Sequence, residues 1–234
     1  TQKEQLSISY EKFTMPNGLQ VVLHQDHSDP VISYAIMYHV GSSRELPGKT
    51  GFAHLFEHLL FGGSENVEPG RFDMVIEGVG GSNNGFTSRD VTTYFEMFPK
   101  NAFEKILWLE SDRMGFFINS ITSRLMAIQQ NVVQNEKRQS VDNSPYGFTD
   151  EVISRNMYPE GHPYSWTVIG EMEDLANANL DDVRNFYDKF YGPNNATLVI
   201  AGDFNPDTVK ILLDKYFGEI KSHGEVPPRS ALPA

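Results

Sequence analysis

Two histidines and a glutamate fall within five residues of this chain: the stretch HLFEH places His54, Glu57 and His58 inside GFAHLFEHLLFGG. On a helix, positions 54 and 58 share one face, one turn apart, so both imidazoles can reach a single ion. Glu57 sits one turn from His54 and borders the same face, close enough to take a proton from a water that the ion activates. The order is the inverse of the His-Glu-x-x-His zinc protease motif. A metal-free polar cluster is the alternative. Leu55, Phe56, Leu59, Leu60 and Phe61 make the surroundings strongly apolar. Leaving two imidazoles and a carboxylate there without strong partners costs on the order of several kcal/mol, which a divalent cation would offset. Zinc in a catalytic site takes three protein ligands and keeps a fourth position for water. The chain has no cysteine, so the third ligand must be a further His, Asp or Glu.

The rest of the chain must hold that helix in place. Its 234 residues suit one large domain or two small ones, and 39% hydrophobic with 21% charged residues is an ordinary globular composition. With 31 acidic against 19 basic residues the net charge is −12, which opposes binding to nucleic acid or to an anionic membrane surface. A cationic peptide is the better electrostatic partner. No apolar run approaches the length of a bilayer span, and the polar start TQKEQLSISYEKF is not a signal peptide. The chain does not begin with methionine, so an export signal already removed, and hence a periplasmic or other exported location, is one expectation. A cytoplasmic location is the other.

Along the chain, Asn17-Gly18 reads as a hairpin turn feeding a strand at Leu19 to His24, and VISYAIMYHV at 31 to 40 reads as a buried strand. GSSRELPGKTG is a loop, with Thr50 placed to cap the helix that carries HLFEH. A short helix is expected in RFDMVIEGVGG, a strand or hairpin at 85 to 99, and a helix in NAFEKILWLESDRMG. Another helix is expected from about Thr122 to Val141, with Leu125, Ile128, Val132 and Val133 on its apolar side. LDDVRNFYDKFYGP is an amphipathic helix, NATLVIAGDF a strand at 195 to 204, and NPDTVKILLDKYFGEI a capped helix. KSHGEVPPRSALPA is Pro-rich and aperiodic, a linker or tail. Strands interleaved with helices, with hairpin signals early, give an α+β fold class.

At this point the sequence resembles the M16 (pitrilysin-like) zinc metallopeptidases, which include the mitochondrial processing peptidase. Besides HLFEH, the resemblance rests on NGLQVVL, GGSNNGFTSRDVTTY, SDRM, HPYSWTVIGEMEDL and FYGPNNATLVIAGDF, and so covers nearly the whole chain. It implies an antiparallel sheet flanked by helices and one Zn2+ per site. The family's third ligand is a glutamate on a later helix, and Glu136 is the only glutamate between Glu110 and Glu151. The S-ribosylhomocysteine lyases share the inverted motif but use a cysteine as third ligand, which this chain lacks.

The resemblance then implies His54, His58 and Glu136 as zinc ligands and Glu57 as general base in peptide-bond hydrolysis. A second family glutamate seven residues before the ligand is replaced here by Gln129, which can hydrogen-bond but supplies no negative charge. Asn84, Gly85, Phe86 and Thr87 match the strand that holds extended peptide substrate by β-augmentation, with Asn84 placed to bond substrate backbone. His162 reads as structural, and His24, His27, His39 and His223 have no partner pattern. Family members pair two related halves, within one chain or between subunits. Residues 1–221 correspond to the metal-bearing half and 222–234 to the start of the connection. The expected function is therefore a zinc endopeptidase that needs a second half; the alternative is a non-catalytic scaffold subunit, for which Gln129 speaks.

Overall fold

The computed structural model describes residues 7–229. Its first elements are strands β1 (Glu11–Thr14), β2 (Gln20–Gln25) and β3 (Val31–Tyr38), followed by helices α1 (Phe52–Leu60) and α2 (Arg71–Gly78). Next come the hairpin β4 (Ser82–Thr87) and β5 (Thr92–Pro99), then helices α3 (Phe103–Phe116), α4 (Ser123–Lys137), α5 (Thr149–Met157) and α6 (Met172–Asn177). Helix α7 (Leu180–Phe190), strand β6 (Ala196–Gly202) and helix α8 (Pro206–Phe217) complete the order. The α+β class read from the sequence holds. The sheet has six strands in the order β1-β2-β6-β3-β5-β4, and it is mixed rather than wholly antiparallel, because β2 and β6 run parallel. A short loop makes β2 and β3 antiparallel, so β6, inserted between them, must run parallel to one of the two.

The strands alternate, and one face of the sheet is buried. Val21, Leu198, Ile36 and Tyr94 form a continuous core row across β2, β6, β3 and β5, and Gly85 of β4 ends it. On the opposite face Phe95, Met97 and Val199 stay exposed. Helix α1 lies over the Tyr94 end of that row: the Tyr94 hydroxyl donates to the Phe56 carbonyl at 3.3 Å, and Phe61 meets the Tyr94 ring edge-on at 5.5 Å. Gly85 has no side chain because Phe61 is in the way; a Cβ there would lie 3.1 Å from the Phe61 ring.

The SDRM element is buried beneath this region. Arg113 donates to Glu110 at 2.6 Å and to Glu96 at 3.2 Å, and its guanidinium lies 4.4 Å from the Tyr94 ring centroid and 4.5 Å from that of Phe72. Asp112 accepts from the Ser64 hydroxyl and, at 2.6 Å, from the Asn66 side-chain carboxamide, fixing the loop after α1.

Three sequence expectations need correction. Thr50 does not cap α1: Gly51 occupies the cap position with φ of 83°, and the Thr50 hydroxyl instead donates to Asp174 at 2.6 Å. Helix α4 turns Met126, Val133 and Lys137 inward and leaves Ile128 and Val132 exposed, a rotation that aims Glu136 at α1. The short helices α5 and α6 were not expected, since neither carries a long apolar repeat. The described part of the Pro-rich segment lies against the domain: Asn194 donates to the Gly224 carbonyl at 2.7 Å, and Arg229 pairs with Asp90 at 3.2 Å. Residues 230–234 lie outside the described residues.

Candidate metal centre

Helix α1 sorts its residues by polarity. Phe52, Ala53, Leu55, Phe56, Leu59 and Leu60 are buried in the core, which turns His54, Glu57 and His58 to the remaining face. The helix start is held by a carboxylate that the sequence did not single out. Glu45, buried, accepts from the Gly51 amide at 3.0 Å and the Ala53 amide at 2.8 Å, and so satisfies two of the free N–H groups of the first turn. Burial pushes its carboxyl up to about 8, against the opposing pull of those amides.

Helix α4 brings the third group. Glu136 Oε2 lies 3.2 Å from His58 Nε2, Glu136 Oε1 lies 3.7 Å from His54 Nε2, and the two imidazole Nε2 atoms face each other at 3.3 Å. Among the described residues this is the one group of three or more possible ligands whose donor atoms converge, all within 4.8 Å of one another. The spacing suits zinc. Donors held about 2.0–2.1 Å from one tetrahedral ion stand about 3.3–3.4 Å apart. Burial drives His54 down to about 4, against the pull of the Glu136 charge, so at neutral pH the imidazole is uncharged and can offer a lone pair. His54 Nδ1 is buried without a hydrogen-bond partner among the described residues.

Glu57 stands beside these three. Its Oε2 accepts from the Thr87 hydroxyl at 2.5 Å. Burial raises its carboxyl above the usual range, while the Thr87 bond and the nearby His58 act in the opposite direction. His54, Glu57, Gly85, Phe86, Thr87, Glu136, Val168 and Ile169 together line an open cleft of about 310 Å³. Val168 and Ile169, from the HPYSWTVIGEMEDL segment, were not anticipated as part of it.

The cleft runs beside β4, an edge strand that among the described residues pairs only with β5. Thr87 turns to α1, Phe86 is exposed on the other face, and the Asn84 carboxamide accepts from the Gly85 amide at 2.8 Å. Gln129 is half-buried on α4, and its side chain makes no hydrogen bond among the described residues. His162 is buried, stacks on Tyr158 at 4.8 Å and accepts from the Tyr164 amide at 3.0 Å. His24, His27, His39 and His223 bond elsewhere, to Ser9, Asp203, Thr197 and Tyr187.

Two helices of an α+β domain thus bring three converging donor atoms and a further carboxylate to the rim of a sheet, an arrangement that could hold one metal ion and leave a coordination position open. The chain belongs to the insulinase family, peptidase family M16, whose model matches residues 20–162. A second model, the peptidase M16 inactive domain, matches residues 177–234. Both matches fall on one sheet, since β6 lies between β2 and β3. The chain is 37% identical over 217 residues to the zinc protease PqqE of Helicobacter pylori, covering 92% of this chain and 48% of that protein. The crystal structure of a protease from Helicobacter pylori superposes with a TM-score of 0.91 at 35% identity, over 95% of this chain and 54% of that one. The first half of the periplasmic protease PqqL from Escherichia coli shares the fold, with a TM-score of 0.84 at 19% identity over 96% of this chain and 48% of that one. The chain spans about half the length of the curated relatives it matches. No helix among the described residues is long and apolar enough to cross a membrane.

Proposed function

We propose that this chain is the metal-bearing half of a zinc endopeptidase of the inverted His-x-x-Glu-His type. The convergence of His54, His58 and Glu136, with donor separations of 3.2 to 3.7 Å, carries this reading. Those three residues would hold Zn2+, which when bound supplies a Lewis acid that polarises a peptide carbonyl and acidifies water. Glu57 is the general base: its carboxylate takes the proton of the attacking water and then returns it to the leaving amine. Thr87 holds that carboxylate in place. An extended peptide adds to the free edge of β4, its backbone displacing the Asn84 carboxamide from the Gly85 amide and its side chains alternating between Phe86 and the cleft.

The substrates are extended peptides or unfolded segments, a class that main-chain pairing with an edge strand recognises irrespective of sequence. The length of the relatives supports a second M16-like half, within the same protein or in a partner subunit, that closes the cleft and completes the substrate site. Residues 222–234 would lead towards it, with 1–221 as the catalytic domain. The periplasmic location of PqqL supports an exported protein. Gln129 supports a second reading, a weakly active or scaffold subunit, because no carboxylate backs the metal site at that position.

One experiment separates these readings. Metal content and peptide cleavage are measured for the wild type, Glu136→Gln and Glu57→Gln, alone and with the second half. The peptidase reading expects Glu136→Gln to lose zinc and Glu57→Gln to keep zinc while losing turnover. A Glu57→Gln variant as active as the wild type would remove the assigned base. A wild type that binds zinc but cleaves nothing beside its second half would leave the scaffold.

A further inference from the structure

The segment HPYSWTVIGEMEDL has no role in the chemistry above, yet it touches both helices that carry the ligands. On the α1 side, the Glu171 amide donates to the Thr50 hydroxyl at 2.9 Å, while the Thr50 amide and hydroxyl donate to Asp174 at 3.0 and 2.6 Å. Gly170 lies against Gly51 so closely that a Cβ there would fall 2.3 Å from the Gly51 amide nitrogen, and its φ of +74° favours glycine in any case. This contact is made at the cap of α1, one turn before His54.

On the α4 side, Lys137 follows the third ligand directly. Among the described residues it is the one buried lysine, and its ammonium donates to the Gly170 carbonyl and lies 3.6 Å from the Glu171 carboxylate. Arg155 of α5 pairs with the same carboxylate at 2.7 Å. Two turns earlier on α4, Gln130 donates to the carbonyls of Leu175 at 2.7 Å and Ala178 at 3.0 Å. Residues 170–178 are therefore bonded to Thr50, two residues before α1, and to α4 through Lys137 and Gln130.

We infer that residues 170–178 are a bracket that sets the spacing of α1 and α4, and that Lys137 is a positioning residue for the metal centre, acting through Glu136. This rests on the assignment of His54, His58 and Glu136 as ligands. The physical ground is the geometry of the site. Three donors must meet within a few tenths of an ångström, and two come from one helix while the third comes from another. A buried ammonium loses its solvation and needs a fixed acceptor, so the Lys137 bond to the Gly170 carbonyl resists sliding or rotation of the α4 terminus. Glu136 is the adjacent residue, and rotation there moves its carboxylate away from both imidazoles.

The test is zinc affinity, measured by competition with a chromophoric chelator, together with the thermal midpoint of the metal-free protein. Lys137→Met keeps the aliphatic stem and removes the ammonium. The expected result is a zinc dissociation constant raised about 10-fold or more, as for groups that orient metal ligands. Gln130→Leu and Thr50→Val, which cut the bracket at its other attachments, weaken zinc binding in the same direction and serve if Lys137→Met does not fold. In the Glu136→Gln background, Lys137→Met adds little further loss, because the ligand it positions is gone. A folded Lys137→Met with wild-type affinity, or one whose loss is equally large without Glu136, would overturn the bracket. If Glu136→Gln itself leaves zinc affinity unchanged, the ligand assignment fails first, and the two failures are thereby told apart.

Discussion

The Thr87 hydroxyl donates to Glu57 at 2.5 Å, joining the last residue of the edge strand to the carboxylate beside the ligand cluster. Thr87 turns to α1 while its neighbour Phe86 faces the other way, so the strand that would hold substrate also fixes the rotamer of the proposed base. Thr87→Val keeps the shape and removes the donor. With a hydrogen bond to a charged group worth about 1.5–3 kcal/mol, kcat is expected to fall about 10-fold or more while KM and zinc content change little. Thr87→Ser restores most of the rate. Steady-state kinetics with metal analysis checks this, and a Thr87→Val enzyme with unchanged kcat would show that Glu57 is held by other groups.

Glu45 at the start of α1 yields a prediction about pH. Its carboxyl is raised from an ordinary 4.5 to about 8 by burial. The folded protein therefore keeps this proton over a range in which the unfolded chain has released it. Its contribution to stability is full below about 4.5 and is lost as pH rises through about 8. Glu45→Gln does not titrate. The unfolding free energy of the metal-free wild type should fall relative to Glu45→Gln between about pH 5 and about pH 8.5, while the other titrating groups, common to both, cancel in the difference. Chemical denaturation at the two pH values measures this, and parallel curves would contradict it.

Much of this site was legible because its chemistry is local or bound to a register. HLFEH places three polar groups on the free face of an otherwise apolar helix, and the α1 burial pattern follows from those five residues and their neighbours. Glu136 was reachable through the resemblance and the scarcity of glutamates around it. Glu45, Lys137 and the Val168-Ile169 wall were not, because each acts through a tertiary contact with residues distant in sequence, and a single glutamate in a loop or lysine on a polar helix reads as solvated. The same limit explains α4. Its apolar positions pointed to Ile128 and Val132 as core, yet the helix turns Gln130 and Lys137 to their attachments on residues 170–178 and leaves Ile128 and Val132 exposed.

Arg113 is expected to be the most sensitive charged residue of the fold. It lies buried between Glu110 and Glu96, and burial, with the neighbouring Glu110 charge, holds Glu96 well above the carboxylate range. Arg113→Met leaves the two buried glutamates that share it without their cation, which should cost about 3–5 kcal/mol. Neutralising them as well, in Arg113→Met with Glu96→Gln and Glu110→Gln, should recover part of that loss. Urea denaturation of the single and triple variants checks this, and a triple variant no more stable than the single would assign the loss to the ring contacts with Tyr94 and Phe72 instead.

The tight contact between the end of α1 and the edge strand at Gly85 gives the last prediction. Gly85 sits opposite Tyr94 in the register, and a Cβ there would stand 3.1 Å from the Phe61 ring and 3.3 Å from the Thr93 carbonyl. Phe61 follows the last turn of α1 and packs on Tyr94, whose hydroxyl bonds the Phe56 carbonyl. Gly85→Ala requires the Phe61 ring to give by a few tenths of an ångström or β4 to lift from α1, and a lift of β4 lengthens the bond between Thr87 and Glu57. Overpacking of this kind costs roughly 1–3 kcal/mol. Stability and kcat should fall together, with zinc affinity preserved because all three proposed ligands lie on α1 and α4. Phe61→Leu creates room at the ring edge, so adding it to Gly85→Ala should restore a good part of kcat, although alone it costs stability. Stopped assays on the four members of this cycle measure the coupling. An additive result, with Gly85→Ala no better in the Phe61→Leu background, would mean that the strand is displaced by its contact with the Thr93 carbonyl rather than by the helix.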